Sequence, residues 1–432
     1  MRQSSKRFGS TSGMMNVPSL HSDFRYLPSS RSPSSTACIG PTTTTRTSTT
    51  ASTTTTSTRS TKRAIFPSYN PLSAFHSGKY KTTKPASDVG CYSSTTFPAL
   101  LQDRECDLDF YCQYFRGQNH SNYVAATSPQ GPIIVSIAVN KRGVIRILIR
   151  TTQGSERIEK SMASLSIPWF RRAFGVSHLM ILGLVCPALP IDSLQVCQNP
   201  GLPQELARME ERQIIRCYKF GVYHLLPGQT TEYQGLSNAQ DSCTPAFTNF
   251  MHWLGEPIRL CGWKGYRAGL DVAGDTTGET SIFRHFENYQ VMYHCAPLLP
   301  CDPQDLQQIE RRRFIGNDIV VIVFKENDDD EQFDLTSVGS RQNHIICVVR
   351  PIPGANGSEP TSYRIKIAVK DGIRNFSPLD FPSVLTKDDA SRDLLLLKLI
   401  CGERAAYSAK AFATQLLRTR ESLLRDVIES YR

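Results

Sequence analysis

One carboxamide and three guanidinium groups stand close together in the middle of the chain. The arginines Arg311 to Arg313 shortly precede Asn317, which is the only Asn between Arg311 and Phe324. Cations near the end of a helix suit its exposed carbonyl groups. Asn can donate and accept hydrogen bonds at once, and it does not titrate near pH 7. The chemistry open to this side chain is therefore hydrogen bonding without a change of charge.

The sequence around this turn contains the signals of three elements in order. Asp302 is a good N-cap and Pro303 fits the first helical position, so a helix is predicted to begin there. Gly316 predicts a left-handed residue at the helix end. The apolar, β-branched run Ile319 to Phe324 predicts a strand that is covered on both faces. Asn317 is thus predicted to lie in a turn between a helix and a buried strand.

Physical chemistry alone favours a structural interpretation of these residues. Arginines at a helix end are usually a solvated face, and Asn beside Gly is usually a turn residue. No nucleophile, base or metal-ligand cluster accompanies them in the sequence. Lys219 reads as a strand residue that faces water, and His294 as a satisfied core histidine. The acidic run Asp328 to Glu331 lacks the spacing of a calcium loop and is predicted to be solvated.

A resemblance to a known family changes the weight of these alternatives. Arg312 to Val320 reads Arg-Arg-Phe-Ile-Gly-Asn-Asp-Ile-Val, which resembles the signature of the Rap/Ran-GAP family of GTPase-activating proteins, including its tuberin-like branch. Tracts around Lys219 and Trp263 also resemble the family, and the likeness covers roughly Tyr114 to Arg432. Phe314 departs from the pattern, because relatives usually carry His there.

The resemblance implies a protein that stimulates GTP hydrolysis by a Rap-type small GTPase. In this family the Asn of the Gly-Asn-Asp triplet is the catalytic asparagine thumb, which makes Asn317 the catalytic residue, and no arginine finger is used. Lys219, Arg312, Arg313 and Phe314 are then assigned to binding of the GTPase. Hydrolysis needs a water aligned on the γ-phosphate, and Rap proteins lack the Gln with which many GTPases hold it.

The same resemblance sets the expected partners and cofactors. The chain would be an enzyme activator rather than an enzyme on its own. GTP and Mg²⁺ arrive with the GTPase, so the chain is expected to bind no cofactor or metal of its own. A homodimer is a further expected partner. The alternatives are a catalytically weak GTPase-docking or dimeric scaffold, or a GAP for Rheb or Ral, since Phe314 puts affinity and substrate choice in doubt.

The distribution of charge argues against nucleic acid as the main partner. The whole chain has a net charge of +10, but Met1 to Ser87 alone carries about +11, from twelve Lys or Arg against one Asp. The net charge of the remaining residues, from Asp88 onward, is therefore close to −1. A nucleic-acid footprint lies on a folded basic face, whereas this excess lies in a stretch of Ser, Thr and Pro with little apolar material.

The expected location is the cytoplasm. The sequence shows neither a signal-peptide core nor an apolar run long enough to span a bilayer. Its thirteen cysteines contain no Cys-x-x-Cys pair and predict reduced thiols. Membranes would be reached only through a lipidated GTPase.

Composition and periodicity divide the chain into three parts. The predicted fold class is α/β, in the broad sense that includes α+β folds. Residues 1–105 form a disordered basic tail, whose deletion up to Ser87 is expected to leave catalysis intact. Residues 106–205 contain a helix and a hairpin, and they resemble the dimerisation domain that precedes the catalytic domain in Rap GAPs. The resemblance implies that residues 206–432 form the catalytic domain, with a central sheet and two long C-terminal helices.

Two expectations concern the dimerisation-like part. The strand Val144 to Arg150 alternates Ile with Arg146 and Arg150, which predicts a hairpin with one buried face. The function of this part is either self-association, through the hairpin or a helix around Trp169 to Phe174, or packing against its neighbour.

Overall fold

Two β-sheets with helices packed on them make up the described part of the chain. The computed structural model describes residues 80–82, 106–167, 175–305, 307–326, 332–354 and 358–432. Within these ranges the two sheets and the helices between their strands confirm the α/β class.

The first half of the described chain builds mainly the smaller sheet. Its elements in chain order are strand β1 (Tyr80–Thr82), helix α1 (Cys106–Tyr114), strands β2 (Ser121–Ala125), β3 (Ile133–Val139), β4 (Val144–Thr151) and β5 (Gly154–Ser161), helix α2 (His178–Val185), strand β6 (Gln195–Cys197) and helix α3 (Leu202–Arg212). Strands β2 to β6 form an antiparallel sheet in the order β5-β4-β3-β2-β6.

Both faces of the smaller sheet are covered where strand β4 crosses it. Ile147 packs in one apolar cluster with residues of α2, and Leu148 packs in another with residues of α1 and α3. Arg150 is fully buried and its Nε lies 2.5 Å from Oε1 of Glu210 in α3. The prediction of one buried face is therefore wrong, because α3 supplies a carboxylate that lets an arginine lie inside.

The second half of the chain builds the larger sheet. Its elements in order are strand β7 (Cys217–Leu225), helices α4 (Glu232–Ser237) and α5 (Pro245–Leu254), strands β8 (Glu256–Arg259), β9 (Thr280–Phe286) and β10 (Tyr289–Cys295), helix α6 (Ile309–Ile315), strands β11 (Val320–Lys325), β12 (Ile345–Ile352), β13 (Ser362–Lys370) and β14 (Val384–Thr386), and helices α7 (Asp389–Ala406) and α8 (Lys410–Tyr431).

The larger sheet has the order β1-β13-β12-β11-β7-β10-β9-β8, with β14 also on β13. Strands β12, β11, β7 and β10 are parallel, and the outer strands are antiparallel. Strand β11 is buried along its whole length: Ile322 packs on the side of α5 and α7, and Val321 on the side of α6. This confirms the predicted strand with two covered faces.

Strand β1 corrects the prediction of a disordered tail. Tyr80–Thr82 pairs antiparallel with the end of β13, and Tyr80 is 1% exposed. The prediction is wrong for these residues because an edge strand offers unpaired backbone groups that a short segment can complete. Residues 1–79 and 83–105 lie outside the described residues. A deletion up to Ser87 would therefore remove a strand of the sheet.

The chain returns to the smaller sheet at its C-terminal end. Leu424, Val427 and Ile428 of α8 pack in the cluster that contains Leu148 of β4. The predicted boundary between residues 205 and 206 falls inside α3. The division into domains stays a prediction, and so does self-association, since residues 168–174 lie outside the described ranges.

Candidate functional site

Helix α6 begins later than the sequence predicts. Gln308 precedes it with a left-handed φ of 48°, and the Asp305 carboxylate accepts from the backbone N of Ile309 at 2.6 Å. Asp302 instead accepts from the backbone two residues on, at 2.9 Å. Such local bonds compete with helix formation, so the prediction of a helix starting at Asp302 is wrong. Gln308 closes the resulting loop by donating to the carbonyls of Asp302 and Asp305, both at 2.7 Å.

Gly316 ends α6 by allowing a close approach rather than by a left-handed turn. Its φ of −65° and ψ of −16° are right-handed, so the predicted conformation is wrong. A Cβ at this position would lie 2.4 Å from the carbonyl oxygen of Arg312, a distance no side chain tolerates. The backbone N–H groups of the next two residues donate to the carbonyls of Phe314 and Ile315, at 3.0 and 3.1 Å. These bonds make the tight turn that carries Asn317.

Asn317 is exposed at the amino end of strand β11. Its Nδ2 donates to the carbonyl of Arg313 at 2.6 Å, which ties the carboxamide to the last turn of α6. Its own carbonyl oxygen accepts from Nζ of Lys219 at 3.0 Å. The side chain is therefore at the surface while its backbone is fixed from both sides.

Asp318 anchors this turn from inside. It is fully buried; Oδ1 lies 3.1 Å from Nζ of Lys219, and Oδ2 lies 2.8 Å from Nδ1 of His294. The other ring nitrogen of His294 lies 3.0 Å from the carbonyl oxygen of Ala268. Both ring nitrogens face acceptors, so both contacts are hydrogen bonds when the ring carries two protons. His294 is thus a satisfied core histidine, as predicted, but its partner is the residue next to Asn317.

Lys219 is not the solvent-facing lysine that its strand position suggests. Only 18% of its side chain is exposed, and its ammonium lies between Asp318 and the Asn317 carbonyl. Two residues further along β7, a Cβ on Gly221 would lie 2.5 Å from Cγ2 of Ile315. The glycine therefore lets the end of α6 press against the strand, and this contact brings Lys219 within reach of the turn.

The three consecutive arginines have three different environments. Arg311 is 1% exposed and donates to the backbone carbonyls of four residues, which fixes α6 to the end of α4 and to the segment after β10: Leu236, Asn238, Leu299 and Pro300. Arg312 is 39% exposed, and its Nη1 lies 3.4 Å from Oε2 of the buried Glu232. Arg313 is 56% exposed, and its Nη1 lies 3.6 Å from Oε2 of Glu310. Arg311 is therefore structural, and Arg313 is the most accessible.

Phe314 lies beside the buried network rather than out in solvent. Its ring is half-buried, 5.3 Å from the ring of His294 and edge-on to it. It also belongs to the margin of the apolar cluster that contains Ile315. The structure thus brings Phe314, Lys219 and Asn317 together around Asp318, while Arg312 turns toward Glu232.

A loop distant in sequence also holds the turn, and sequence reasoning missed it. Asn343 is fully buried, and its Nδ2 donates to the carbonyls of Ile315 and Asp318 at 2.9 and 2.7 Å. The Ser340 hydroxyl donates to the carbonyl of Gly316 at 2.5 Å. We call residues 338–343 the bracing loop. No local pattern marks these residues, since their partners lie more than 20 positions away.

The described residues hold no group of three or more His, Cys, Asp or Glu side chains that could bind a metal ion. The prediction for the acidic run Asp328 to Glu331 is not tested, because residues 327–331 lie outside the described ranges.

Among the described residues, no helix is both long and apolar enough to cross a membrane.

The family of the domain follows from comparison with known proteins. Residues 235–421 match the sequence model of the Rap/ran-GAP family. This stretch includes helix α6, the Asn317 turn, the bracing loop and the central strands β10 to β13. The chain therefore contains a Rap/ran-GAP domain, and the resemblance of the Gly-Asn-Asp segment to this family is confirmed.

Curated relatives extend the similarity beyond this domain. The chain is 33% identical over 341 residues to GTPase-activating Rap/Ran-GAP domain-like protein 3 of Danio rerio, covering 76% of this chain and 32% of that protein. It is 31% identical over 335 residues to signal-induced proliferation-associated 1-like protein 1 of Mus musculus, with 74% and 18% covered. It is 29% identical over 383 residues to RapA guanosine triphosphatase-activating protein 1 of Dictyostelium discoideum, with 74% and 35% covered.

These relatives are much longer proteins. The chain spans about a third of the length of the first curated relatives it matches.

A solved structure of the TSC2 GAP domain is similar over 44% of this chain and 96% of that one, with 23% identity and a TM-score of 0.37.

Proposed function

We propose that the chain is a GTPase-activating protein that stimulates GTP hydrolysis by a Rap-type small GTPase, with Asn317 as the catalytic asparagine thumb. The observation that carries this proposal is an exposed carboxamide on a turn whose backbone is fixed by buried groups. The Rap/ran-GAP domain supports it, as do relatives whose names describe GTPase activation, one of them acting on RapA.

The chemistry of a carboxamide suits the task. An amide nitrogen carries two hydrogens, so the bond from Asn317 to Arg313 leaves a second N–H and the amide oxygen to hold a water on the γ-phosphate. Positioning of this kind contributes to catalysis only if the group is held in place before the reaction. Asp318 and Lys219 supply that rigidity without occupying the carboxamide itself.

Docking is assigned to the residues around the turn. Arg313 is the most exposed cation of α6 and is suited to an acidic patch on the GTPase. Arg312 contributes the exposed part of its side chain while it remains paired with Glu232. Lys219 and Phe314 lie beside Asn317 and contact the GTPase close to its nucleotide. We do not assign an arginine finger, since Arg311 is buried and its guanidinium is held by backbone carbonyls.

The partner supplies the nucleotide chemistry. GTP and Mg²⁺ are carried by the GTPase, so the chain acts as an activator and not as an enzyme on its own. The proposed location is the cytoplasm, with recruitment to membranes through the lipidated GTPase. A homodimer through the smaller sheet belongs to the same proposal.

The test is single-turnover hydrolysis of GTP by Rap, Rheb and Ral, each loaded with GTP and Mg²⁺, with the chain added at increasing concentration. We expect acceleration of Rap by the parent chain and its loss in Asn317→Ala. Asn375→Ala, at another exposed asparagine, is the matched control and should keep the parent rate. Acceleration of Rheb or Ral alone would replace the proposed substrate.

A docking scaffold is the second candidate, and Phe314 favours it. Phenylalanine offers no hydrogen bond where relatives usually carry His, and its ring lies against His294 next to the turn. A scaffold would bind the GTP-loaded GTPase without changing its rate of hydrolysis. Binding measured beside the rates separates the two functions.

A further inference from the structure

Strand β1 is short and distant in sequence from its neighbours, yet it completes the edge of the larger sheet. Residues 83–105 separate it from helix α1 in the chain. Tyr80 pairs with Lys370 and Thr82 with Ala368, at the end of β13. A strand of three residues has little pairing of its own. The side chain of Tyr80 must therefore supply much of what holds it.

Tyr80 is buried among residues that support the Asn317 turn. Its side chain is 1% exposed and lies in the apolar cluster that contains Ile315, the last residue of α6. Val338 of the bracing loop and Ile346 of β12 belong to the same cluster. The ring thus packs on the side of the sheet where α6 and the turn lie.

The hydroxyl of Tyr80 reaches the turn through one intermediate residue. It donates to the carbonyl oxygen of Asn343 at 3.1 Å, a buried bond. The side chain of Asn343 in turn donates to the carbonyls of Ile315 and Asp318. Those two carbonyls lie on either side of Asn317. Tyr80 is therefore two hydrogen bonds away from the backbone that presents the carboxamide.

Lys370, the strand partner of Tyr80, makes a second connection. Its ammonium lies 5.9 Å from the centre of the Tyr80 ring and donates to the carbonyls of Ser340 and Arg341 at 3.1 and 2.9 Å. The Ser340 hydroxyl donates to the carbonyl of Gly316. Both connections pass through the bracing loop, so this loop links the pair of strands β1 and β13 to the Asn317 turn.

We propose that Tyr80 is a positioning residue for Asn317: docking of strand β1 on β13 holds the bracing loop against the turn and keeps the carboxamide in its active geometry. Strand β1 thereby acts on the turn that carries Asn317. Release of β1 would lower the rate of GTP hydrolysis without changing any residue that touches the GTPase. The rate part of this proposal rests on the proposed function, whereas the docking of β1 does not.

The experiment uses the full chain and three variants. Tyr80→Ala removes the ring and the hydroxyl, whereas Tyr80→Phe keeps the ring and removes the hydroxyl that bonds to Asn343. Tyr114→Ala, which truncates a half-buried tyrosine of the smaller sheet region, is the matched control. Backbone hydrogen exchange is measured for residues 315–319 and 368–370, and single-turnover hydrolysis is measured across a range of chain concentrations.

We expect faster exchange in both segments for Tyr80→Ala, with a smaller increase for Tyr80→Phe and none for Tyr114→Ala. The saturating rate of Tyr80→Ala should fall by between about 3-fold and about 100-fold, the upper value being the cost of a displacement of ~1 Å at a catalytic group. The concentration for half-maximal rate should stay unchanged, because the docking residues are untouched.

The opposite results separate the docking of β1 from its effect on the rate. Unchanged exchange in both segments of Tyr80→Ala would overturn the docking of β1. Faster exchange with an unchanged saturating rate would overturn the positioning role. If the parent chain accelerates no GTPase, the proposed function fails, and the exchange measurement alone decides whether Tyr80 holds the turn.

Discussion

Each of the two sheets buries a charged cluster, and the clusters have different surroundings. In the smaller sheet Arg150 is paired with Glu210, with exposed side-chain fractions of 0% and 3%. In the larger sheet Asp318 lies between His294 and Lys219, with exposed fractions of 0%, 1% and 18%. The first cluster is closed off from solvent, whereas the second reaches the surface through Lys219 and the neighbouring residue Asn317.

This difference shows when a buried charge points to function. Removing charged groups from water is costly in both places, and only good geometry offsets the cost. Arg150 also donates to the buried Ser136 hydroxyl, which in turn donates to the buried Asn122 side chain. These bonds stay inside the protein, so this cluster supports the fold. Around Asp318 the bonds continue into the backbone of Asn317, so the same kind of cluster fixes an exposed group.

Glu210→Ala tests the closed cluster and should have the largest effect. It leaves the Arg150 guanidinium buried without its carboxylate, which should lower the free energy of unfolding by about 3–5 kcal/mol. Denaturant unfolding at neutral pH measures this loss. The rate of GTP hydrolysis per folded molecule should stay at the parent value. A selective loss of rate in the folded variant would contradict the separation of the two clusters.

Asn317→Ala tests the exposed end of the open cluster. The carboxamide acts mainly in the transition state, so the saturating rate should fall on the order of 10²-fold, or about 3 kcal/mol. Binding of the GTP-loaded partner and the free energy of unfolding should change little, because the side chain is exposed. Single-turnover kinetics and a binding titration measure both. A parent-like rate would remove Asn317 from the mechanism.

Lys219→Met tests the link between the buried and exposed parts. It removes an ammonium that forms an ion pair with Asp318 and donates to the Asn317 carbonyl. We expect a loss of about 2 kcal/mol, part of it in the free energy of unfolding and part in the activation free energy. We expect the saturating rate to fall by less than in Asn317→Ala, together with a measurable decrease in thermal stability. Lys410→Met, at an exposed position that begins α8, is the control. Loss of stability without any loss of rate would show that the link is only structural.

Arg313→Ala tests the surface beside the cluster and should have the smallest effect. An exposed cation contributes less than about 1 kcal/mol to the free energy of binding the GTPase, so the GTPase concentration for half-maximal rate should rise a few-fold. This rise should become smaller with added salt, because salt screens exposed charges. Arg312→Ala should in addition lower stability, because the buried carboxylate of Glu232 loses the cation that pairs with it. If Arg313→Ala lowered only the saturating rate, Arg313 would have to be reconsidered as an arginine finger.

Local sequence patterns determined much of the framework. The continuous apolar run predicted β11, and alternation predicted β4, because side-chain periodicity along a strand depends only on neighbouring residues. The Rap/ran-GAP signature indicated the family, and the glycine before Asn317 together with the apolar run after it placed Asn317 in a turn before a buried strand. These features need no knowledge of what packs against them.

The tertiary structure alone decided which charged groups are buried and what holds the turn. Arg311, Arg312 and Arg313 are identical in type, but successive helix positions point about 100° apart, so each met a different environment. Arg150 could lie inside only because Glu210 of another element faces it. Tyr80 meets Asn343 across 263 positions of the chain. Contacts over such separations arise from the packing of whole elements, and a local pattern cannot contain them.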